Sequence, residues 1–237
     1  MTAVESSSEG TMPAELSARL QAKDVSLAYF DGDRTTLAVD RVSLTLPKTG
    51  FVGIMGPSGS GKSSLLYLLS GLKRPTSGDV LLDGVPMGIL SDAALTTVRR
   101  RRFGFVFQQP FLLNYLTARE NVLVAALWDD HSAAGRADEL LCSLGVEEFA
   151  GRFPYHLSGG ERQRICVARA MVNLPDVIFA DEPTASLDHA NGRLVMDLLT
   201  SYRTRGVVVV VTHDAEMLTG ADRVYHMRDG RLDGSTP

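Results

Sequence analysis

The sequence predicts an α/β fold built on a mostly parallel sheet, and three observations predict it. From Leu20 onward, short β-rich runs alternate with amphipathic stretches. Several runs, among them Phe51–Met55, Val177–Ala180 and Val207–Thr212, are continuously apolar, the pattern of strands covered on both faces. A glycine-rich segment joins one of these strands, Phe51–Met55, to an apolar helix at Ser63–Leu72, the arrangement by which such sheets present a loop to a ligand.

The elements follow in chain order. Residues 1–17 are rich in Ser and Glu and are expected to be a mobile tail ahead of one domain over 18–237. Strands are expected at Leu20–Ala28, Val42–Leu46, Phe51–Met55, Asp79–Leu82 and Phe103–Phe107. Three more are expected at Val177–Ala180, Val207–Thr212 and Val224–Met227. Between Phe107 and Val177 the apolar spacing is helical instead, at Thr117–Trp128, Gly135–Leu144 and Gly160–Val172. A helical insertion over about residues 110–172 therefore interrupts the α/β core. Just before it, the basic run Arg99–Arg102 beside a strand is expected to be a solvated face, with contact to a partner or to anionic lipid as the alternative.

The 237 residues carry a formal net charge of −4 and are 44% hydrophobic, values of an ordinary globular chain that needs no disulfide staples. That balance argues against attachment to nucleic acid through bulk positive charge, and no nucleic-acid partner is expected. The two cysteines, Cys142 and Cys166, lie in no C-x-x-C or His-rich cluster, which points to a reducing compartment and away from zinc. The longest uninterrupted apolar run, Val122–Trp128, falls well short of the roughly 20 residues a spanning helix needs. With a polar, acidic N-terminus as well, the chain reads as cytoplasmic.

Residues 56–63 read G-P-S-G-S-G-K-S, the spacing of a phosphate-binding loop. Gly56, Gly59 and Gly61 permit backbone conformations that turn N–H groups toward phosphate oxygens, with Pro57, Ser58 and Ser60 between them. The helix that follows, opening through Ser63 and Ser64, adds the partial positive charge of its N-terminus. Lys62 suits the β- and γ-phosphates, and the Ser63 hydroxyl suits Mg²⁺. A nucleotide with Mg²⁺ is the expected ligand.

Residues 177–182, V-I-F-A-D-E, form an apolar strand ending in two carboxylates. Ligands of a parallel sheet sit beyond the carboxyl ends of its strands, so Asp181 and Glu182 would arrive beside the phosphates. Asp181 suits the Mg²⁺ shell, and Glu182 suits the attacking water, as general base or as its orienter. Taken alone, the pair would serve equally well as a cap at a strand-to-loop junction. The strand Val207–Val211 ends in Thr212-His213-Asp214 on the same edge, which brings His213 toward the γ-phosphate.

A second glycine-rich helix start, L-S-G-G-E at 157–161 followed by R-Q-R-I-C-V-A-R-A, lies inside the helical insertion. One phosphate cannot easily use two such helix ends from one subunit. Ser158, Gly159, Gly160 and Glu161 therefore suggest a site completed by a second copy of the chain, although taken alone the pentapeptide reads equally as an ordinary Ser-Gly-Gly turn before a helix.

With these motifs the chain resembles the ATP-binding-cassette (ABC) ATPases from about Leu20 to Leu232. The resemblance implies a P-loop NTPase fold of ABC type, with an antiparallel β subdomain and an inserted α-helical subdomain. L-S-G-G-E is similar to the family signature, and V-I-F-A-D-E to its magnesium and catalytic strand. Gln108, in G-F-V-F-Q, is similar to the Q-loop glutamine, which implies contact with Mg²⁺ and the attacking water. Ser186-Leu187-Asp188 is similar to the D-loop, His213 to the switch histidine, and Tyr29 to the aromatic that stacks on adenine. Phe103–Gln108, Leu112-Leu113 with Leu116–Val122, and Ala221–Val224 with Arg228–Leu232 resemble the separate-chain ATPases of lipoprotein release, macrolide export and related systems. Ala185-Ser186 departs from the Gly-Asn commoner in that branch.

The resemblance implies a head-to-tail homodimer that sandwiches two ATP molecules. Tyr29, the phosphate loop, Gln108, Asp181, Glu182 and His213 would come from one chain, and Ser158, Gly160 and Asp188 from the other. A separate permease is implied, its cytoplasmic helix docking near Gln108, which would hold the chain on the inner face of the membrane. Soluble relatives that act on nucleic acid or ribosomes typically carry two cassettes or a long coiled-coil or zinc-hook insertion, and this sequence has neither. A partner in mechanotransmission, signalling through a membrane protein, would carry nearly the same cassette.

Overall fold

The computed structural model describes residues 18–32, 34–127 and 130–236; the expected tail and the Trp128 end of one expected helix lie outside them. The chain begins with β1 (Ala18–Asp31), β2 (Arg34–Pro47), β3 (Gly50–Met55), α1 (Lys62–Leu69), β4 (Ser77–Leu82) and β5 (Val85–Pro86). It continues with α2 (Asp92–Arg102), β6 (Phe103–Val106), α3 (Ala118–Leu123), α4 (Ala133–Ser143) and α5 (Gly159–Met171). It closes with β7 (Val177–Asp181), α6 (His189–Ser201), β8 (Val207–Thr212), β9 (Arg223–Arg228) and β10 (Arg231–Thr236).

Two sheets result. An antiparallel sheet has the order β2-β1-β4-β5, and the central sheet has the order β10-β9-β3-β8-β7-β6. In the central sheet β9, β3, β8, β7 and β6 run parallel, and β10 joins β9 antiparallel at the edge. Side chains alternate across a strand, so each apolar run feeds two cores. Val52, Ile54, Val177, Phe179 and the odd-numbered valines of β8 pack with α1 against the antiparallel sheet. Phe51, Ile178, Ala180, Val208 and Val210 face the other way, among residues of α3, α4, α5 and α6. Both faces are dry, which is why these strands carry no polar alternation.

The expected strands all form, several with longer ends. β2 starts eight residues before Val42: Arg34–Leu37 is held by pairing with β1 but is exposed, so its sequence shows no apolar alternation. The expected helix from Thr117 ends early, at Leu123, after a capping box in which Thr117 and Glu120 satisfy each other's backbone N–H groups. α2, α6, β5 and β10 carry no clear sequence signal. α2 buries only Leu95.

The basic run is a solvated face only in part: Arg100 and Arg101 are exposed, whereas Arg99 and Arg102 are half-buried. Arg99–Arg102 forms the last turn of α2, where cations complement the helix dipole. Arg99 donates to the carbonyl of Gly71 at 2.8 Å. Arg102 pairs with Asp83 and Asp176, and Arg19 of β1 pairs with the same two carboxylates. Arg102 is thus part of a charge cluster that also holds Arg19 of β1, linking the antiparallel sheet to the start of the neighbouring β6. Among the described residues no helix is long and apolar enough to cross a membrane.

Candidate nucleotide site

The carboxyl end of β3 runs into the loop 56–61 and then into α1. Gly61 is the N-cap of α1, at φ 100°, and a Cβ there would lie 2.1 Å from the carbonyl oxygen of Ala38. Only glycine meets both demands. The cap makes no side-chain hydrogen bond, so the first N–H groups of α1 have no partner from that side chain. Lys62 is 8% exposed and donates from Nζ to the carbonyls of Gly56 (2.8 Å) and Pro57 (2.9 Å), which folds the loop around its ammonium. From behind, the N–H of Gly230 holds the carbonyl of Ser60 at 3.0 Å.

Because β3, β8 and β7 are parallel neighbours, their carboxyl ends fall side by side: Met55 pairs with Thr212, and Asp181 with Val211. The Ser63 hydroxyl donates to Asp181 Oδ1 at 3.0 Å. Burial pushes the Asp181 carboxyl above its ordinary range; the Ser63 hydrogen bond opposes this, the Glu182 charge adds to it, and Lys62 subtracts. Glu182 follows with φ 47°, a left-handed conformation uncommon outside glycine. Its Oε1 lies 2.8 Å from His213 Nδ1, and its Oε2 accepts from Thr212 Oγ1 at 3.2 Å.

These groups surround one cavity of about 540 Å³. It is lined by Ala38, Pro57, Ser58, Gly59, Gly61, Lys62, Ser63, Ser64, Gln108, Asp181, Glu182 and His213. Gly56 and Ser60 stand behind this wall, with Ser60 buried. Tyr29 sits beside it on β1, its hydroxyl 3.5 Å from Ser64 Oγ and Lys73 Nζ 4.6 Å from its ring centre. Ser158 to Glu161 and Asp188 lie elsewhere. Ser158 caps α5 with Glu161 in a reciprocal capping box, and Gly160 abuts Leu187, one residue before Asp188. Asp188 caps α6 through the N–H of Asn191 at 2.9 Å, and that bond, with the Asn191 amide, holds its carboxyl below the usual range.

The donor set fits Mg²⁺. A buried carboxylate, a serine hydroxyl and the Gln108 amide are hard oxygen ligands, too few to enclose the ion without phosphate oxygens, which is how Mg²⁺ is usually held beside a nucleotide. Two participants have no motif to mark them. Ala38 lines the cavity from β2, and Thr212 reaches Glu182 from 30 residues along the chain. A third, Gln163, is 1% exposed and donates from Nε2 to the carbonyl of Phe107, next to Gln108, at 3.0 Å.

A glycine loop on the carboxyl edge of a parallel sheet, with a lysine, a carboxylate pair and a histidine around one cavity, defines a P-loop nucleotide-hydrolysing protein. The ABC transporter family model matches residues 39–185, and the chain belongs to that family. It is 42% identical over 222 residues to the lipoprotein-releasing system ATP-binding protein LolD of Syntrophotalea carbinolica, covering 92% of this chain and 98% of that one. It is 44% identical over 213 residues to the macrolide export ATP-binding/permease protein MacB of Rhodospirillum rubrum, covering 88% of this chain but 33% of that one. The chain thus spans about a third of the length of that relative. Among solved structures, the post-hydrolysis dimer of the ATP-binding cassette MJ0796 with ADP and Pi aligns at a TM-score of 0.86 and 37% identity. That alignment covers 92% of this chain and 97% of that one. The chain is an ATP-binding cassette and an ATPase.

Proposed function

We propose that this chain is the ATP-hydrolysing subunit of a transporter whose membrane permease is a separate chain, and that it works as a head-to-tail homodimer on the inner face of the membrane. The observation that carries the reading is the convergence of Lys62, Ser63, Asp181 and a doubly held Glu182 on one phosphate-sized edge. Residues 18–237 act as one cassette, with the helical segment around 110–172 as its insertion. The likeness to LolD and MacB supports export or extraction of a lipoprotein, peptide or drug-like substrate.

In this reading the loop from Gly56 to Gly61 and the start of α1 bind the phosphates, Lys62 exchanges a loop carbonyl for a phosphate oxygen, and Tyr29 stacks on adenine. Ser63, Asp181 and Gln108 would hold Mg²⁺, which when bound neutralises charge on the phosphate oxygens. Glu182 orients the attacking water and takes up its proton, while His213 braces the carboxylate and reaches the γ-phosphate. Ser158, Gly159, Gly160 and Asp188 serve the partner's nucleotide, since within one chain they lie away from the cavity. ATP joins the two halves, and loss of phosphate lets them part.

Glu182→Gln tests this. Turnover is expected to fall about a thousandfold, with ATP affinity kept and an ATP-dependent dimer accumulating in size-exclusion chromatography. Wild-type turnover in that variant would remove Glu182 from the reaction.

A further inference from the structure

We infer that Thr212 is a positioning residue for Glu182, fixing the plane of its carboxylate toward the cavity; this rests on Glu182 being the group that orients the water. Three consecutive residues at the end of β8 each hold a different part of Glu182. The carbonyl of Val211 accepts its backbone N–H at 2.9 Å, the Thr212 hydroxyl meets Oε2 at 3.2 Å, and His213 Nδ1 meets Oε1 at 2.8 Å.

The direction of the Thr212 bond is determined. The N–H of Asp214 donates to Thr212 Oγ1 at 3.0 Å, and an N–H can only donate, so the hydroxyl accepts there. Its own proton is then left for Glu182 Oε2, which as a carboxylate can only accept. The oxygen is also rigidly carried, because threonine is branched at Cβ and Thr212 is 2% exposed at the end of an all-buried strand.

The two donors differ in permanence. The His213 side chain is 69% exposed, so water competes for its contact, whereas the Thr212 hydroxyl is enclosed. The terminal torsion of a glutamate is broad, and a carboxylate gripped at one oxygen can turn about that grip. A second, buried donor on the other oxygen removes that freedom. Backbone placement at φ 47° brings Glu182 to the cavity, and Thr212 sets how its oxygens face once there.

The test is steady-state ATP turnover and equilibrium ATP binding of the full chain. Thr212→Val and Thr212→Ala are expected to lower kcat about tenfold or more, with KM for ATP and ATP affinity within about twofold of wild type. Thr212→Ser, which keeps the hydroxyl, is expected to stay within about threefold of wild type in kcat. A folded Val or Ala variant with wild-type kcat overturns the inference, as does a Ser variant as slow as Val. If neither Val nor Ala gives a cooperative melting transition while Ser does, the hydroxyl serves folding and the inference is overturned too. Glu182→Gln, measured alongside, separates the two readings. Full turnover there removes the assignment of Glu182, whereas loss of turnover there with normal Thr212→Val turnover removes only Thr212.

Discussion

Two helices of this molecule open on glycine-rich loops, and they are finished in opposite ways. α1 begins at Gly61, left-handed and without a side-chain cap. α5 begins at Ser158, whose hydroxyl and the Glu161 carboxylate satisfy each other's backbone N–H groups. Side chains also grip the far end of α5: Arg136 donates from Nε to the carbonyl of Val172, its C-cap, at 2.9 Å, and pairs with Asp130. An uncapped N-terminus keeps its donors for a fully charged ligand, while a capped one is stable by itself and can only present what it carries. Similar sequence signals thus mark a helix start left open, where the proposed ligand would complete it, and a helix start completed in advance.

The largest expected effect comes from breaking the first kind of end. Lys62→Ala removes a charge-assisted donor from the phosphates, and ATP affinity by equilibrium titration should drop about a hundredfold; wild-type affinity would deny that this end is the ligand-completed one. The second end can be dissected. Ser158→Ala loses the cap and should cost about 1 kcal/mol in denaturant unfolding. Ser158→Asp keeps a competent cap but sets a negative charge where a partner's phosphate would approach, so stability should hold while turnover falls about tenfold. Normal turnover in Ser158→Asp would make α5 a helix start with no nucleotide duty.

The smallest effect is at the far end of α5. The Arg136 guanidinium, and then the Ser132 hydroxyl, hold the Asp130 carboxyl down to about 2. A carboxyl lowered on folding contributes stability that is fully present above its unfolded value, near 4, and is lost as pH falls through about 2. The melting temperature should therefore decline across that window, and less steeply in Asp130→Asn. Equal slopes would show that this grip does not hold the helix.

What was legible in the sequence follows from where each signal resides. The central strands could be read because both faces of the sheet are covered, leaving β3, β7 and β8 as plain apolar runs. α2 was invisible because it buries one side chain, and Arg102 at its end reads as surface until Asp83 and Asp176 arrive from distant segments. α6 begins His189-Ala190-Asn191-Gly192, a turn in which His189, Asn191 and Gly192 are weak helix formers, kept in place by the Asp188 cap. Lys62, Asp181 and Glu182 stood out by local spacing. Thr212 did not, since its meaning depends on a carboxylate brought alongside by a neighbouring strand.

β8 carries one more consequence. Val207 to Val211 are five identical residues with no exposed surface, shared between two apolar cores. Sliding such a strand by one position would exchange valine for valine on both faces, so hydrophobicity cannot choose its alignment. The choice falls to its ends. At one, Gly206 passes so near the backbone that a Cβ would lie 2.6 Å from the carbonyl oxygen of Asp176. At the other, Thr212 and His213 meet Glu182. A slide that set Val211 where Thr212 stands would offer Glu182 a valine methyl in place of a hydroxyl, so an error in assembling this sheet would also be an error in the proposed nucleotide site.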